Sequence, residues 1–347
     1  MLLKPLCITT SEPYPNRILP TDSGEEANVS YAGGPRCTPA IDAGKLYTIG
    51  SEGRLLCLDA ETGSVVWEKD LKQQYGIDSP HWGFSAHPYV QGEFLYCLVG
   101  GDGSVAVAFD KETGREVWRA LSAEEPGYCP PTIIRHAGVR QLLIWNPESI
   151  QSLHPDTGEV YWSQPLAPNY KMSIAVPRKL GDLLFASGIG HVAAMFKLDD
   201  TEPDAEVHWR GDSTTAVYAC NTTPFLEDGT IYGVDCHSGG LIAARASDGQ
   251  RLWETFKPTT GDRNASHGTA FLVKHEDRFF FFNETGDLIL AKLSPEQYEE
   301  LGRFHVLDPT NECFGRDVVW SQPAFAEKCV FARNDKLLVC VDLASKR

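Results

Sequence analysis

The sequence predicts an all-β protein, a β-propeller of seven blades with four antiparallel strands in each blade. Two observations carry this prediction: a tryptophan that recurs four residues after a turn glycine, and an interval of 44 to 51 residues between successive copies, which is the period of a propeller blade. The 347 residues, with 31 glycines and 22 prolines, also favour a turn-rich architecture that grows by repetition over one ordinary core.

The tryptophan column marks the fourth strand of each blade. The glycine-to-tryptophan step is the same in DAETGSVVW (59–67), DKETGREVW (110–118), HPDTGEVYW (154–162) and RASDGQRLW (245–253). A longer turn, DDTEPDAEVHW, precedes Trp209, and Phe304 replaces the indole in a sixth copy. A residue repeated in every blade usually serves the repeat. We therefore predict inter-blade packing for Trp67, Trp118, Trp162, Trp209 and Trp253; an aromatic box for a ligand is the alternative.

A second column gives the same phase. Short runs that open an apolar strand begin at Cys37, Ala86, Cys129, Ala175, Thr222, Gly268 and Ser321. After each start, glycine-bearing turns separate further apolar strands, and the Asp-x-x-Thr-Gly turn leads to the fourth. In that turn the Asp or Thr oxygens accept backbone N–H groups and the glycine takes the left-handed conformation. Seven starts predict seven blades.

The last copy, residues 321–347, supplies three strands and no tryptophan strand. We therefore divide the chain into an N-terminal extension, residues 1–36, part of which closes the ring, and a propeller, residues 37–347. The segment ANVSYAGG (27–34) is predicted to pair with the last blade, because an open sheet edge invites aggregation. An eight-bladed parent that lacks its first blade is the alternative.

Charge and cysteine usage bound the partners and the compartment. A net charge of −16 argues against nucleic acid or an anionic membrane surface as the main partner and leaves basic proteins and small ligands open. No apolar run has the length of a membrane span, and the start does not read as a signal peptide. The ten cysteines are dispersed and read as buried thiols. The chain as written is therefore expected in the cytoplasm.

The repeat resembles a known family. The pattern Ala-x-Asp-x-x-Thr-Gly-x-x-x-Trp is matched fully by AFDKETGREVW (108–118) and nearly by CLDAETGSVVW (57–67), and it resembles the repeat of pyrroloquinoline-quinone-like (PQQ-like) propellers. The resemblance implies one of two branches. Quinoprotein dehydrogenases hold the quinone and Ca²⁺ in the central funnel and oxidise alcohols or sugars, whereas a cofactor-free branch resembles the lipoprotein of the outer-membrane β-barrel assembly machinery and implies the periplasm or cell envelope.

The residues favour the second branch. The sequence has no adjacent pair of cysteines, and the turn carboxylates Asp59, Asp110 and Asp156 recur with the repeat, so we interpret them as turn caps. Metal-binding motifs such as Cys-x-x-Cys are absent. We predict a non-catalytic scaffold or binding module without a cofactor, for a protein or small ligand. A quinone- and Ca-dependent dehydrogenase is the first alternative, and a hydrolase or lyase on the propeller rim is the second.

The candidate binding site is the funnel rim, formed by residues that flank the seven strand starts. Polar and aromatic groups on concave surfaces bind small ligands. The candidates are Arg36, Ser85, His87, Tyr128, Asn221, His267 and Gln322. The alternative is that these groups satisfy one another and ordered water. Two loops nearby carry His81 with Trp82 and Asp262 with Arg263; without a nucleophile elbow, we interpret them as solvated loops.

Overall fold

The computed structural model describes residues 5–6 and 36–344. Within them, thirty strands form seven four-stranded antiparallel sheets and one separate hairpin, with one short α-helix and one 3₁₀ helix. The predicted all-β, seven-bladed propeller is confirmed. The chain divides into two compact units. Residues 36–210 of the described chain are called the N-terminal unit, and residues 211–344 with residues 5–6 the C-terminal unit.

The N-terminal unit contains blades one to four, each built from consecutive strands. With β1 (Pro5–Leu6) belonging to the other unit, blade one is β2 (Ala40–Asp42), β3 (Lys45–Ile49), β4 (Arg54–Asp59) and β5 (Val65–Asp70), followed by helix α1 (Leu71–Tyr75). Blade two is β6 (Tyr89–Gln91), β7 (Phe94–Leu98), β8 (Ala106–Asp110) and β9 (Glu116–Ala120). Blade three is β10 (Thr132–His136), β11 (Val139–Trp145), β12 (Ser149–Leu153) and β13 (Val160–Pro165), followed by a 3₁₀ helix (Asn169–Lys171). Blade four is β14 (Arg178–Leu180), β15 (Leu183–Gly188), β16 (Val192–Leu198) and β17 (Ala205–Arg210).

The C-terminal unit contains blades five to seven and the separate hairpin. Blade five is β18 (Phe225–Glu227), β19 (Thr230–Val234), β20 (Leu241–Arg245) and β21 (Arg251–Thr255). Blade six is β22 (Ala270–His275), β23 (Arg278–Asn283), β24 (Asp287–Leu293) and β25 (Tyr298–His305). The hairpin is β26 (Asn311–Cys313) with β27 (Arg316–Val318), and blade seven has β28 (Ala324–Ala326), β29 (Cys329–Arg333) and β30 (Leu338–Asp342).

Blade seven takes its fourth strand from the N-terminal end of the chain. Strand β1 pairs antiparallel with β30, with Pro5 opposite Val341 and Leu6 opposite Cys340. A proline has no N–H to give to a ladder and is tolerated on an edge strand, and β1 is the edge of this sheet. The segment 27–34, which we predicted to pair here, lies outside the described residues and stays a prediction.

The first strands follow the predicted starts closely, beginning at most three residues after them. The second and third strands are buried on both faces, as in β8, where Ala106, Val107, Ala108 and Phe109 are all at most 1% exposed. The fourth strands are more exposed, and β5 shows this clearly. The core therefore lies against the middle strands of each blade, which explains why these strands read as continuous apolar runs.

The Asp-x-x-Thr-Gly turn has the predicted chemistry. The Asp59 carboxylate accepts hydrogen bonds from the backbone N–H and the hydroxyl of Thr62, both at 2.7 Å. Gly63 is left-handed at φ 69°, and its N–H donates to the Asp59 carbonyl at 2.8 Å. The ladder shifts register before the tryptophan, between Cys57 and Leu58, which is the bulge that such a turn requires.

One of the three predicted turn caps is wrong. Asp110 caps its turn as Asp59 does, through the N–H and hydroxyl of Thr113 at 2.9 and 2.8 Å. Asp156 instead forms an ion pair with Arg140 at 2.6 Å. The capping position of that turn is held by His154, whose Nδ1 accepts the Asp156 N–H at 3.1 Å. Asp156 lies two residues after His154 in the turn, and both of its carboxylate oxygens are bound by Arg140.

Three of the five repeat tryptophans reach the turn of the following blade. The indole N–H of Trp67 donates to the Lys111 carbonyl at 3.1 Å, and that of Trp118 donates to the Pro155 carbonyl at 2.9 Å. Trp253 does the same with Ser294 at 2.9 Å. Each acceptor lies in the turn before the fourth strand of the next blade, so one hydrogen bond per indole joins neighbouring sheets.

The turn glycine lies under the indole of the preceding blade. A Cβ on Gly158 would fall 2.5 Å from Cε3 of Trp118, and a Cβ on Gly114 would fall 2.9 Å from Cδ2 of Trp67. Real Cβ contacts are never this short. The glycine is therefore needed twice, for its left-handed backbone and for the space that the indole occupies.

Candidate functional site

The N-terminal unit holds four of the predicted rim residues, each two to four residues ahead of the first strand of its blade. Arg36 donates from Nη1 to the Trp82 carbonyl at 3.3 Å. The Trp82 N–H in turn donates to the hydroxyl oxygen of Tyr128 at 3.3 Å, and that hydroxyl donates to Glu125 at 3.2 Å. The structure thus joins Arg36 and Tyr128 through one loop, and burial raises the pKa of the Tyr128 phenol.

Ser85 and His87 belong to the same unit and are half-buried. Burial lowers the pKa of His87, because the charged imidazolium loses more solvation than the neutral ring. A neutral ring at physiological pH offers one donor and one acceptor to a ligand. His81 is exposed and packs edge-on against Trp82 at 4.7 Å, consistent with a loop position.

The C-terminal unit holds the other three predicted rim residues. Asn221 donates from Nδ2 to the His267 carbonyl at 3.2 Å and to the Thr269 hydroxyl at 2.7 Å. His267 has a left-handed backbone at φ 57°, and burial lowers its pKa, with smaller contributions from the charges of His237 and Arg316. Gln322 is exposed. The structure therefore brings Asn221 and His267 together, each at the start of its own blade.

These links run from one blade start to the next. Backbone and thiol groups repeat the pattern beside the rim positions, as when the Tyr128 N–H donates to the Ser173 carbonyl at 2.9 Å and the Cys37 thiol lies 3.8 Å from the Ala86 carbonyl. Several of the predicted rim groups are thus occupied by neighbouring blades. Whether any of the seven binds a ligand stays a prediction.

Sequence reasoning missed an ion pair between Glu284 and Arg316. Glu284 is 2% exposed, and its two carboxylate oxygens lie 2.9 and 3.3 Å from Nε and Nη2 of Arg316. The backbone N–H of Thr269 at 3.2 Å and the indole N–H of Trp320 at 3.4 Å complete the donor set. With four donors on two oxygens, this carboxylate positions its surroundings and has little capacity left to act as a base.

The ion pair anchors the extra hairpin, β26–β27. Arg316 begins β27 and also donates to the Ser266 carbonyl at 3.1 Å. Between the two strands, Phe314 is 60% exposed, with a left-handed φ of 51°. Its ring lies parallel to that of His267, 4.8 Å away and inclined by 5°. The arrangement holds a large apolar ring at the surface in one orientation.

The sequence indicates only one partner of the Glu284–Arg316 ion pair. Glu284 follows the apolar run of β23 directly, in FFNETGDL. A carboxylate directly after a buried strand is a candidate for a paired charge. Its partner lies 32 residues away, and nothing in the local pattern identifies it.

The cysteines and the possible metal ligands of the described chain indicate no reactive or metal-binding site. The nine cysteines of the described chain are free thiols, and all but Cys329 are buried. We predicted burial for Cys57, Cys97, Cys329 and Cys340, and the prediction is wrong for Cys329, which is half-buried in the short strand β29. Among the described residues, no group of three or more His, Cys, Asp or Glu side chains is placed to hold a metal ion. In the same part of the chain, no helix has the length and apolar character needed to cross a bilayer.

Four-stranded blades, the Asp-x-x-Thr-Gly turns and the indoles that reach into them define the class: this is a PQQ-like β-propeller. A family model described as "Outer membrane protein assembly factor BamB" matches residues 21–255 and, in a second overlapping match, residues 146–347. The chain therefore belongs to the BamB family of PQQ-like propellers, and the resemblance stated from its repeat is confirmed.

Known relatives agree with this assignment at low identity. The outer membrane protein assembly factor BamB of Shewanella oneidensis is 21% identical over 329 residues, which is 88% of this chain and 82% of that protein. The quinoprotein alcohol dehydrogenase PedH of Pseudomonas putida is 24% identical over 82% of this chain, but the match covers only 47% of PedH. The crystal structure of BamB from Moraxella catarrhalis superposes with a TM-score of 0.60 at 14% identity, covering 88% of this chain and 82% of that one, which shows the shared fold.

Proposed function

We propose that this protein is a non-catalytic scaffold that binds other proteins during the assembly of outer-membrane proteins, in the cell envelope. One observation carries the proposal: two overlapping matches to the BamB family model together cover residues 21–347. The alignment with the Shewanella protein, which covers 82% of that relative, supports it. The blade-to-blade hydrogen bonds at the rim support it too, because they occupy groups that a small substrate would need.

The hairpin of the C-terminal unit is the proposed binding element. Exposed aromatic rings held in one orientation are the usual anchors of protein interfaces, because little side-chain entropy is lost when they bind. Phe314 fits this description, since His267 fixes its ring and the Glu284–Arg316 pair fixes the hairpin. Insertions between repeats often carry the binding surface of a repeat protein.

The test is a gene deletion followed by complementation. Deletion should lower the amounts of β-barrel proteins in washed outer membranes, measured by quantitative mass spectrometry, and the wild-type gene should restore them. Phe314→Ala should restore them less well. Tyr170→Ala is the matched control, because Tyr170 is a 75% exposed aromatic residue outside the hairpin. Unchanged barrel-protein levels in the deletion strain would end the proposal.

The dehydrogenase alternative rests on the similarity to PedH. The residues give its cofactor little support: no three His, Cys, Asp or Glu side chains of the described chain are grouped to hold a metal ion, and the sequence has no adjacent cysteine pair to lie beside a quinone. A calorimetric titration of the purified chain with pyrroloquinoline quinone, with and without Ca²⁺, separates the two functions. A scaffold gives no saturable heat, whereas one-to-one binding that depends on calcium would favour the dehydrogenase.

A further inference from the structure

Between blades three and four, the hydrogen bond from an indole N–H to the turn of the next blade is not formed. The indole N–H of Trp162 does not reach the next blade but donates to Oε1 of Gln141 in its own blade at 3.0 Å. The turn that would receive it is longer: ten residues separate Asp199 from Trp209, against eight from Asp110 to Trp118. This turn also lacks the glycine on which an indole would pack.

The consequence is a groove within the N-terminal unit. Its volume is about 390 Å³, and its walls are residues 160–163 of β13 and residues 202–204 of the long turn. Gln164 donates to the Ala205 carbonyl at 2.6 Å, and Arg210 donates to the Pro165 carbonyl at 2.9 Å. These two bonds tie β13 to β17, so the groove is held open by ordered strands.

The long turn is strongly acidic, but its carboxylates have different roles. Asp199 caps the turn, accepting from the N–H and hydroxyl of Thr201 at 2.7 and 2.6 Å, and these bonds lower its pKa. Asp200 faces His136 of blade three at 3.4 Å. Glu202 and Asp204 line the groove and are exposed. Neither forms an ion pair with any residue of the described chain, so two negative charges at the groove have no counter-charge.

We propose that this groove binds an extended segment of a partner protein and takes an arginine or lysine side chain of that segment. The volume lies in the range of sites that enclose a ligand group. The carboxylates of Glu202 and Asp204 on one wall of the groove offer negative charge to that cation.

Two further observations favour a basic polypeptide. Strand β13 is the last strand of its sheet and forms one wall of the groove, so one edge of its backbone pairs with no strand of the blade and an extended chain can align along it. The net charge of −16 attracts basic segments at long range. The inference deepens the proposed scaffold function and rests on it for the identity of the partner as a protein.

The experiment measures binding of a fluorescein-labelled peptide, Ser-Val-Thr-Val-Arg-Val-Thr-Val-Ser, to the full chain by fluorescence polarisation. A second peptide carries citrulline in place of arginine, which keeps the shape and removes the charge. The arginine peptide should bind about tenfold more tightly than the citrulline peptide, a difference typical of one partly desolvated charge pair. Raising the salt concentration should shrink the difference.

Paired variants locate the site. Glu202→Gln with Asp204→Asn should abolish the preference for arginine, whereas Glu61→Gln with Glu93→Gln, which removes the same charge from exposed positions of blades one and two, should preserve it. All four positions are exposed, so both variants should keep the wild-type circular dichroism spectrum. Equal binding of the two peptides, or equal effects of the two variants, would overturn the proposal.

The outcome is separable from that of the proposed function. Loss of barrel proteins on deletion together with indifference to the arginine would refute the groove alone. Selective arginine binding together with normal barrel-protein levels would refute the assembly role and leave the groove in place.

Discussion

The turn glycines allow the inter-blade contact to be measured apart from backbone strain. Gly63, Gly114 and Gly158 occupy the same position in three copies of the turn, with φ of 69°, 71° and 76°. They differ in the atoms that a Cβ at each position would contact. A Cβ would meet nothing within 4 Å at Gly63, an indole carbon at 2.9 Å at Gly114 and one at 2.5 Å at Gly158.

Alanine substitutions should therefore give a graded series. Gly63→Ala carries only the cost of a left-handed alanine, about 1–2 kcal/mol. Gly158→Ala adds the displacement of an indole that is 9% exposed and tethered to Pro155, and overpacking of this kind costs about 1–3 kcal/mol more. The total for Gly158→Ala is about 2–5 kcal/mol, with Gly114→Ala between the two.

The assay is urea unfolding followed by tryptophan fluorescence. All three glycines lie in the N-terminal unit, so one transition reports on all of them, and the free energy of unfolding is compared at equal slope. The order Gly63, Gly114, Gly158 is the prediction. If Gly63→Ala and Gly158→Ala destabilise equally, the indole does not pack on the turn as described, and the predicted packing role of the repeat tryptophans fails with it.

Three further predictions concern other contacts. Trp118→Ala should cost about 3–5 kcal/mol, and Val117→Ala, at a position 37% exposed, well under half of that in the same urea assay; similar costs would contradict the packing role. Glu284→Gln should destabilise the C-terminal unit by about 3 kcal/mol, because the guanidinium of Arg316 is left buried without its counter-charge; adding Arg316→Met should recover part of the loss, and a neutral Glu284→Gln would show that the pair contributes nothing. The hydrogen bond to Asp287, with help from a second aspartate, raises the pKa of His305 above its ordinary 6.5, so the stability it contributes is fully present below pH 6.5 and is lost as pH rises through the folded pKa. An NMR titration of this ring should show the raised pKa, and His305→Gln should remove this part of the pH dependence; a titration at or below 6.5 would refute the interaction.

Much of the fold was predictable because its signals are local. The interval between tryptophans, the capped turn and the strand starts depend on residues within one hairpin, where hydrogen bonds such as those of Asp59 are made between near neighbours. The same reasoning failed at Asp156, where a residue 16 positions away, Arg140, captured the carboxylate. Local chemistry identifies which groups can cap a turn, but it does not show which distant charge competes for them.

The candidate site was predictable only as a set of positions. The positions that flank the strand starts were located correctly in the chain, and Asn221 and His267 are in contact. The spacing of the seven residues does not show whether they bind a ligand. The Glu284–Arg316 ion pair and the stacking of Phe314 on His267 join residues from blade six, the loop before it and the extra hairpin. Contacts between residues so far apart in the sequence produce no repeating pattern from which they could be predicted.

By itself, the sequence determined an all-β propeller of seven blades, the chemistry of its turns and the family to which it belongs, because a repeated unit states the same local rules again and again. The tertiary structure decided where those rules are broken. Trp162 turns to Gln141 and the long acidic turn opens a groove, since the direction of an indole depends on the shape of the neighbouring blade. That shape is set by packing between units of the repeat, and packing is known only when the units are placed side by side.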